Sequence, residues 1–141
     1  AGRKYRADVI VRITADCPLV DPQLVDECVE QFEQQAVHYV SNNHPPTLPD
    51  GLDVEVIAFS ALERAAKEAT AKFDREHVTP FILNSPEFKV ADIRYNSDLS
   101  DLRWTVDEEK DLQVIRNVFD YFAPNIHFGW QEILKLNQKK T

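Results

Sequence analysis

Two aspartates follow apolar segments directly, at the position where α/β proteins place ligands. Asp16 follows the apolar run 8–14, and Asp107 follows the segment Leu102-Arg-Trp-Thr-Val106. If both segments are strands of one sheet, their carboxylates reach the same rim, because ligands bind beyond the carboxyl ends of strands. Two carboxylates plus substrate phosphates make a typical Mg²⁺ site, since Mg²⁺ keeps several waters. The pattern therefore predicts that Asp16 and Asp107 hold Mg²⁺ beside a nucleotide.

Simpler interpretations of these residues stay open. Asp107 is also suited to cap the helix that follows it, and Asp16 to form a turn before Pro18. Arg12 lies inside the first apolar run, where a charged side chain needs a partner. Asp8 or Asp16 would satisfy it, and so would a substrate phosphate.

Two further groups of polar residues are candidates for substrate binding. Asp53 and Glu55 share one face of an alternating segment and are placed to accept hydrogen bonds from sugar hydroxyls; a solvated strand face is the plainer alternative. Arg75, Glu76 and His77 combine a cation, an anion and an imidazole at a predicted helix start. Such a trio binds a polyhydroxy acid or moves a proton near neutral pH, although surface ion pairs are commoner.

Composition limits the protein class. The 141 residues fit one domain with a real core, and we assign 1–141 to a single, partial domain. A net charge of −8 argues against nucleic-acid and anionic-membrane binding, which favour basic patches. Two cysteines, Cys17 and Cys28, give no disulfide framework, and Cys28 is expected in the core. Without a signal peptide or a long apolar run, a cytoplasmic location is the default.

Alternating strands and helices predict an α/β fold with helices on both faces of the sheet. The continuous apolar run 8–14 is typical of a strand in a parallel sheet, and the strand 53–59 with the proline loop before it is expected to form a β excursion from that sheet. Asp21 and Pro22 mark a helix start, Ser60 and Glu63 resemble a capping box, and Pro124 ends a helix. The expected strands are 8–14, 38–41, 52–59, 90–95 and 102–106; the expected helices are 22–35, 60–71, 74–84, 108–123 and 129–137.

Four segments together resemble one known family. They are Val11-Arg-Ile-Thr-Ala-Asp-Cys-Pro-Leu-Val-Asp-Pro22, Pro49-Asp-Gly-Leu-Asp-Val-Glu-Val56, Arg75-Glu-His-Val-Thr-Pro80 and Leu102-Arg-Trp-Thr-Val-Asp107. In the same order they resemble the spore coat polysaccharide biosynthesis protein F family, which is similar to the cytidylyltransferases that make CMP-activated sugar acids. The resemblance implies a Rossmann-like nucleotide-diphosphosugar transferase fold. It also implies transfer of a cytidylyl group from CTP to a sugar or sugar acid, with Mg²⁺ and release of pyrophosphate.

The resemblance also implies roles for individual residues. Asp16 and Asp107 match the metal-binding aspartates, and Asp53, Glu76 and His77 fall where related enzymes contact the sugar. A homodimer is expected through residues 38–56. The family's glycine-containing, lysine-ended phosphate loop has no match here, so we expect a fragment that lacks the N-terminal nucleotide-binding part and is inactive alone.

Two other functions remain open at this stage. One is a non-catalytic sugar-binding or dimerisation module that keeps the fold without the chemistry. The other is nucleotidyl transfer from a nucleotide other than CTP, because the base would be recognised by the absent segment.

Overall fold

The computed structural model describes residues 1–138 as a four-stranded mixed sheet covered by helices. Residues 139–141, which the predicted domain 1–141 includes, lie outside the described residues. The strands are β1 (Val9–Arg12), β2 (Tyr39–Ser41), β3 (Glu55–Ala58) and β4 (Val90–Asp92). The helices are α1 (Pro22–Gln35), α2 (Phe59–Glu68), α3 (Lys72–His77), α4 (Pro80–Asn84), α5 (Glu109–Phe122) and α6 (Trp130–Gln138). None of these helices has the length and apolar character needed to cross a lipid bilayer.

The sheet order is β1-β3-β2-β4, with β3 antiparallel to both of its neighbours and β2 parallel to β4. The predicted α/β class is confirmed, but the parallel setting expected for strand 8–14 is wrong, because β1 pairs antiparallel with β3. The expected excursion of residues 53–59 is also wrong, since β3 lies between β1 and β2 in the sheet. A short apolar run does not reveal the direction of its partner, so the sequence could not fix the pairing of β1. β1 lies at an edge of the sheet, where Val9 and Val11 are exposed.

Helices cover both faces of the sheet, as predicted. On one face, Val40 and Val56 join a core cluster with Leu24, Ile115 and Ile133 from α1, α5 and α6. Cys28 belongs to the same cluster, as expected for an inert thiol. On the other face, the second cluster is smaller and contains Tyr39, Ile57, Ala61, Ala65, Ile82 and Phe88.

Several predicted helix boundaries are wrong. The segment 74–84 forms two helices, α3 and α4, separated at Val78, which has a φ of 70°. Pro80 starts α4 at its first helical position, where the missing amide of proline costs no intrahelical hydrogen bond. Ser60 does not cap α2: the helix begins one residue earlier, its N-cap is Ala58, and no side chain caps it.

Candidate functional site

Three loops meet beyond the carboxyl ends of β1 and β2. We call them the rim: residues 13–21, 42–54 and 102–108. The amide of Val106 donates to the carbonyl of Asp16 at 2.9 Å, and the amide of Trp104 donates to the carbonyl of Asp50 at 2.7 Å. The expected strand 102–106 is therefore wrong, because its backbone pairs with loops and forms one isolated bridge, Asp50 with Arg103.

The loop 42–54 is fixed by side-chain and backbone contacts. The Asn42 side chain donates to the carbonyl of Leu52 and accepts from the amide of Val54, both at 2.9 Å. Gly51 has a φ of +111°, and a Cβ there would lie 2.7 Å from the carbonyl carbon of Trp104. The close packing of loop on loop thus depends on glycine at this position.

Asp16 is half-buried on the rim and remains ionised at neutral pH. A hydrogen bond from the Thr14 side chain, with smaller contributions from Cys17 and from the charge of Arg12, lowers the pKa of Asp16 against the opposing effect of burial. Thr14 Oγ1 also lies 3.2 Å from Cys17 Sγ. The carboxylate is therefore held in the charged form that a cation or a phosphate-bound metal requires.

Asp107 reaches the rim through its neighbour Val106 but is already paired. Arg103 Nη2 lies 2.6 Å from the Asp107 carboxylate and 2.9 Å from that of Asp111. The expected capping role of Asp107 is wrong, since Glu108 is the N-cap of α5 and Asp111 accepts the amides of Asp107 and Glu108. The structure thus joins the backbone of Asp16 to that of Val106, the residue before Asp107. A metal ion shared by the two aspartates stays a prediction.

Asp53 lies on the loop beside Asp16. Burial, followed by the like charges of Asp50, Glu55 and Asp16, raises the pKa of Asp53, while the Asn43 side chain opposes the shift. Asp16 and Asp53 therefore interact electrostatically between two of the rim loops, and we call the pair the acidic group. The interaction links a predicted metal ligand to a predicted sugar-binding residue.

Glu55 does not face solvent, so the expectation of a solvated strand face is wrong. It is 6% exposed and its Oε1 accepts a hydrogen bond from the Tyr39 hydroxyl at 2.7 Å. Arg12 Nη1 forms an ion pair with Oε2. Asp8 and Asp16 were the partners expected for Arg12, but Arg12 pairs with neither of them and pairs with Glu55. Direct substrate binding by Glu55 stays a prediction, although both of its oxygens are already engaged.

Arg75, Glu76 and His77 are exposed on α3. Arg75 Nη1 donates to the carbonyl of Ala69, at the end of α2, at 3.2 Å. The centroid of the His77 ring lies 4.5 Å from that of Phe73, with the two rings tilted by 51°. Within residues 1–138, none of the three forms a hydrogen bond or ion pair with the rim. Their predicted role in substrate binding is untested.

The oxygen donors on the rim fit Mg²⁺ chemically. Asp16 is ionised, and Asp53 and Asp107 add further carboxylate oxygens, the hard ligands that Mg²⁺ prefers. Among residues 1–138 no group of three or more His, Cys, Asp or Glu side chains is arranged to hold a metal ion. A site on this rim would therefore draw part of its coordination from water and substrate phosphates.

Comparison with known proteins identifies the family. The family model described as cytidylyltransferase matches residues 1–140. The chain belongs to the cytidylyltransferase family. This membership confirms the resemblance found in the four sequence segments.

Individual relatives agree with this assignment. The chain is 39% identical over 125 residues to an uncharacterized protein of Methanocaldococcus jannaschii, covering 86% of this chain and 50% of the relative. It is 28% identical over 137 residues to the spore coat polysaccharide biosynthesis protein SpsF of Bacillus subtilis, covering 93% of this chain and 55% of that protein. The chain thus spans about half the length of the curated relatives it matches.

A solved structure shows the same fold. The cytidylyltransferase of Leptospira borgpetersenii serovar Hardjo-bovis superposes with a TM-score of 0.91 at 27% identity. The match covers 99% of this chain and 59% of the other chain. The cytidylyltransferase fold predicted from the motifs is therefore confirmed.

Sequence reasoning missed several residues that build this site. Asn42, Asp50 and Arg103 were not among the predicted site residues, yet their hydrogen bonds and ion pairs hold the rim loops in place. Tyr39 was expected only as a strand residue, and its buried hydroxyl binds Glu55. A signal existed for the last pair: a tyrosine and a glutamate on neighbouring strands each place a polar atom in an apolar setting and need a partner.

Proposed function

We propose that this chain carries the metal and sugar side of an enzyme that transfers a cytidylyl group from CTP to a sugar or sugar acid for surface-polysaccharide synthesis. The observation that supports it most is the hydrogen bond between Val106 and Asp16, which brings two separate family motifs onto one rim beside Asp53. The family match favours an enzyme over a non-catalytic module.

The predicted site residues have the following roles in the proposed reaction. Asp16 and Asp107 would bind Mg²⁺, which supplies neutralisation of the charge that develops on the phosphates. The Arg12 guanidinium binds a phosphate oxygen, and Asp53, Glu76 and His77 orient the sugar by accepting or donating hydrogen bonds. The sugar oxygen attacks the α-phosphorus in line, so the new P–O bond forms as the bond to pyrophosphate breaks and no covalent enzyme intermediate is needed.

The test is pyrophosphate release by the complete natural protein that carries these residues. It is assayed with CTP, UTP, GTP and ATP against a panel of sugars and sugar acids, with Mg²⁺ or with EDTA. We expect CTP and Mg²⁺ to be required. D16N and D107N should each lower kcat/KM at least about a hundredfold, since a metal ion supplies several kcal/mol and each tenfold is about 1.4 kcal/mol.

D26N is the matched control, because Asp26 is an exposed aspartate on α1 whose side chain forms no hydrogen bond or ion pair with the rim loops among residues 1–138. Undiminished turnover in D16N would refute the metal assignment. Mn²⁺ binding, followed by water-proton relaxation, gives a second readout that does not depend on activity and should be lost in D16N and kept in D26N.

The proposed homodimer uses the tip of the segment 38–56. Most of this segment is buried within the chain, and its exposed side chains are His44, Pro45, Pro46 and Asp50. We propose that a second copy packs against this tip. Light scattering of wild type and of P46D should show a dimer that the charged substitution dissociates; a dimer that survives P46D contradicts this interface.

A further inference from the structure

One polar row crosses the sheet on the face that carries the smaller core cluster. Arg12 in β1 stands opposite Glu55 in β3, and Glu55 stands opposite Ser41 in β2. Tyr39 lies two residues before Ser41 and so points to the same face. The row is at the end of the sheet that leads into the rim, because Arg12 and Ser41 are the last residues of their strands.

Glu55 is fully engaged within this row. The buried Tyr39 hydroxyl donates to one carboxylate oxygen at 2.7 Å, and Arg12 Nη1 pairs with the other. Tyr39 is 1% exposed and Glu55 is 6% exposed. Both carboxylate oxygens of Glu55 are therefore occupied by neighbouring side chains and not by solvent.

Arg12, in contrast, is engaged on one side only. Its side chain is 33% exposed, and Nη1 is the nitrogen that meets Glu55. Within residues 1–138, Nε and Nη2 form no hydrogen bond. Arg12 is the last residue of β1 and directly precedes the rim loop 13–21, so its side chain stands at the border of the rim. A guanidinium is a rigid planar fork, so fixing one nitrogen fixes the direction of the others.

We propose that Glu55, held by Tyr39, is a positioning residue that orients Arg12 so that its free guanidinium edge receives a phosphate group on the rim. The inference rests on the proposed function only for the presence of a phosphate ligand. Glu55 thereby moves from the predicted sugar-binding residues to a supporting role, and Tyr39 becomes part of the site. A lysine in place of Arg12 would not do this, because an ammonium group cannot bind Glu55 and present a second fixed donor edge.

The experiment measures anion binding separately from turnover. Inorganic pyrophosphate is titrated into the complete natural protein, with and without Mg²⁺, and the Arg12 guanidinium is followed by ¹⁵N NMR with R12K as the assignment control. We expect R12Q and E55Q each to weaken pyrophosphate binding roughly tenfold, since a small misplacement of a binding group costs one to two orders of magnitude. Y39F should weaken it by a smaller factor and broaden the Arg12 signal.

A double-mutant comparison separates positioning from a general structural role. E55Q should add nothing to R12Q, whereas loss of packing alone would weaken both backgrounds equally. E68Q is the matched control, because it removes one carboxylate that pairs with the exposed Arg64 and should leave pyrophosphate binding unchanged. If E55Q does not fold, Y39F in the wild-type and R12Q backgrounds answers the same question, since it removes one hydroxyl only.

Three results would overturn the inference. The first is pyrophosphate binding within twofold of wild type in both E55Q and Y39F, and the second is pyrophosphate binding within twofold of wild type in R12Q. The third is no pyrophosphate binding by the wild type, with or without Mg²⁺. Failure of the proposed function gives a different pattern. In that case no nucleotide and sugar pair releases pyrophosphate, while the dependence of anion binding on Arg12, Glu55 and Tyr39 persists and supports the positioning role.

Discussion

The carboxylate of Asp21 joins the first turns of two helices that are far apart along the chain. Oδ1 accepts the amide of Gln23 at 2.8 Å in α1, and Oδ2 accepts the amide of Trp130 at 2.9 Å at the start of α6. The side chain is buried, so each amide would otherwise lose water without gaining a partner. The aspartate predicted to cap one helix therefore helps to dock a second.

Replacing Asp21 should cost more than replacing an ordinary helix cap. We expect D21A to lower the free energy of unfolding by about 2–4 kcal/mol, because two buried amides lose a charged acceptor. D21N should lose about half as much, since its amide group offers one acceptor oxygen for the two amides. Urea unfolding measures both, with D26N as an exposed control. A D21N variant as stable as wild type would contradict the double cap.

Gly51 should tolerate no side chain. G51A places a Cβ against the carbonyl of Trp104 at a φ of +111°, so we expect a loss of roughly 2 kcal/mol or more in unfolding free energy and weaker contact between two rim loops. The reverse exchange at the end of α1 is the control. Ala36 has a φ of 49°, and A36G should stabilise the protein by up to about 1 kcal/mol. Thermal melts of both variants check the pair; equal shifts would contradict this reasoning.

Ser60 should be nearly neutral despite the sequence pattern that surrounds it. Its hydroxyl caps no amide of α2, and the residue is exposed. We expect S60A to change the free energy of unfolding by less than about 0.5 kcal/mol, whereas loss of a true capping box would cost about 1 kcal/mol. Denaturant titration with replicate error below that difference distinguishes the two outcomes.

Replacing Asp53 by asparagine should raise the stability of the protein and lower its activity. Burial raises its pKa, so the folded protein holds this proton more tightly than the unfolded chain does. Ionisation of Asp53 therefore costs stability; the cost is absent below the unfolded pKa and fully present once pH exceeds the folded pKa. We expect D53N to melt at a higher temperature than wild type at neutral pH, and the difference to shrink as pH falls toward the unfolded pKa.

D53N should also lower turnover in the complete natural protein, because the sugar loses a charged hydrogen-bond acceptor. Melting curves across acid and neutral pH, with D26N alongside, provide the comparison. A D53N variant that is less stable than wild type at neutral pH would contradict the assigned direction of the pKa shift.

The sequence predicted those features that depend on local pattern. The apolar periodicity of α1 and the Asp21-Pro22 start gave both ends of that helix, and the four motif segments gave the family and its fold. Features that depend on partners distant along the chain were not predicted from the sequence. Residues 102–106 have the composition of a strand but meet a loop, and the break at Val78 is invisible in an apolar pattern that continues across it.

In the candidate site, too, the individual residues were predictable from the sequence and their long-range contacts were not. Asp16, Asp53 and Asp107 could be chosen from residue type and position, because acids after apolar runs are unusual enough to stand out. The pairing of Glu55 with Tyr39 and Arg12 depends on the antiparallel register of three strands, which the sequence left open. Glu55 is buried and not solvated, because the polar face of an alternating strand is exposed only when no other part of the protein covers it.

The position of β1 at the sheet edge has a consequence for handling the polypeptide. One side of its backbone is bonded to β3 and the other carries amides and carbonyls without strand partners among residues 1–138, flanked by exposed Val9 and Val11. An uncovered apolar edge of this kind is a template for strand addition between molecules. Preparations of the polypeptide 1–141 are therefore expected to aggregate as concentration rises, and V11K should keep them dispersed.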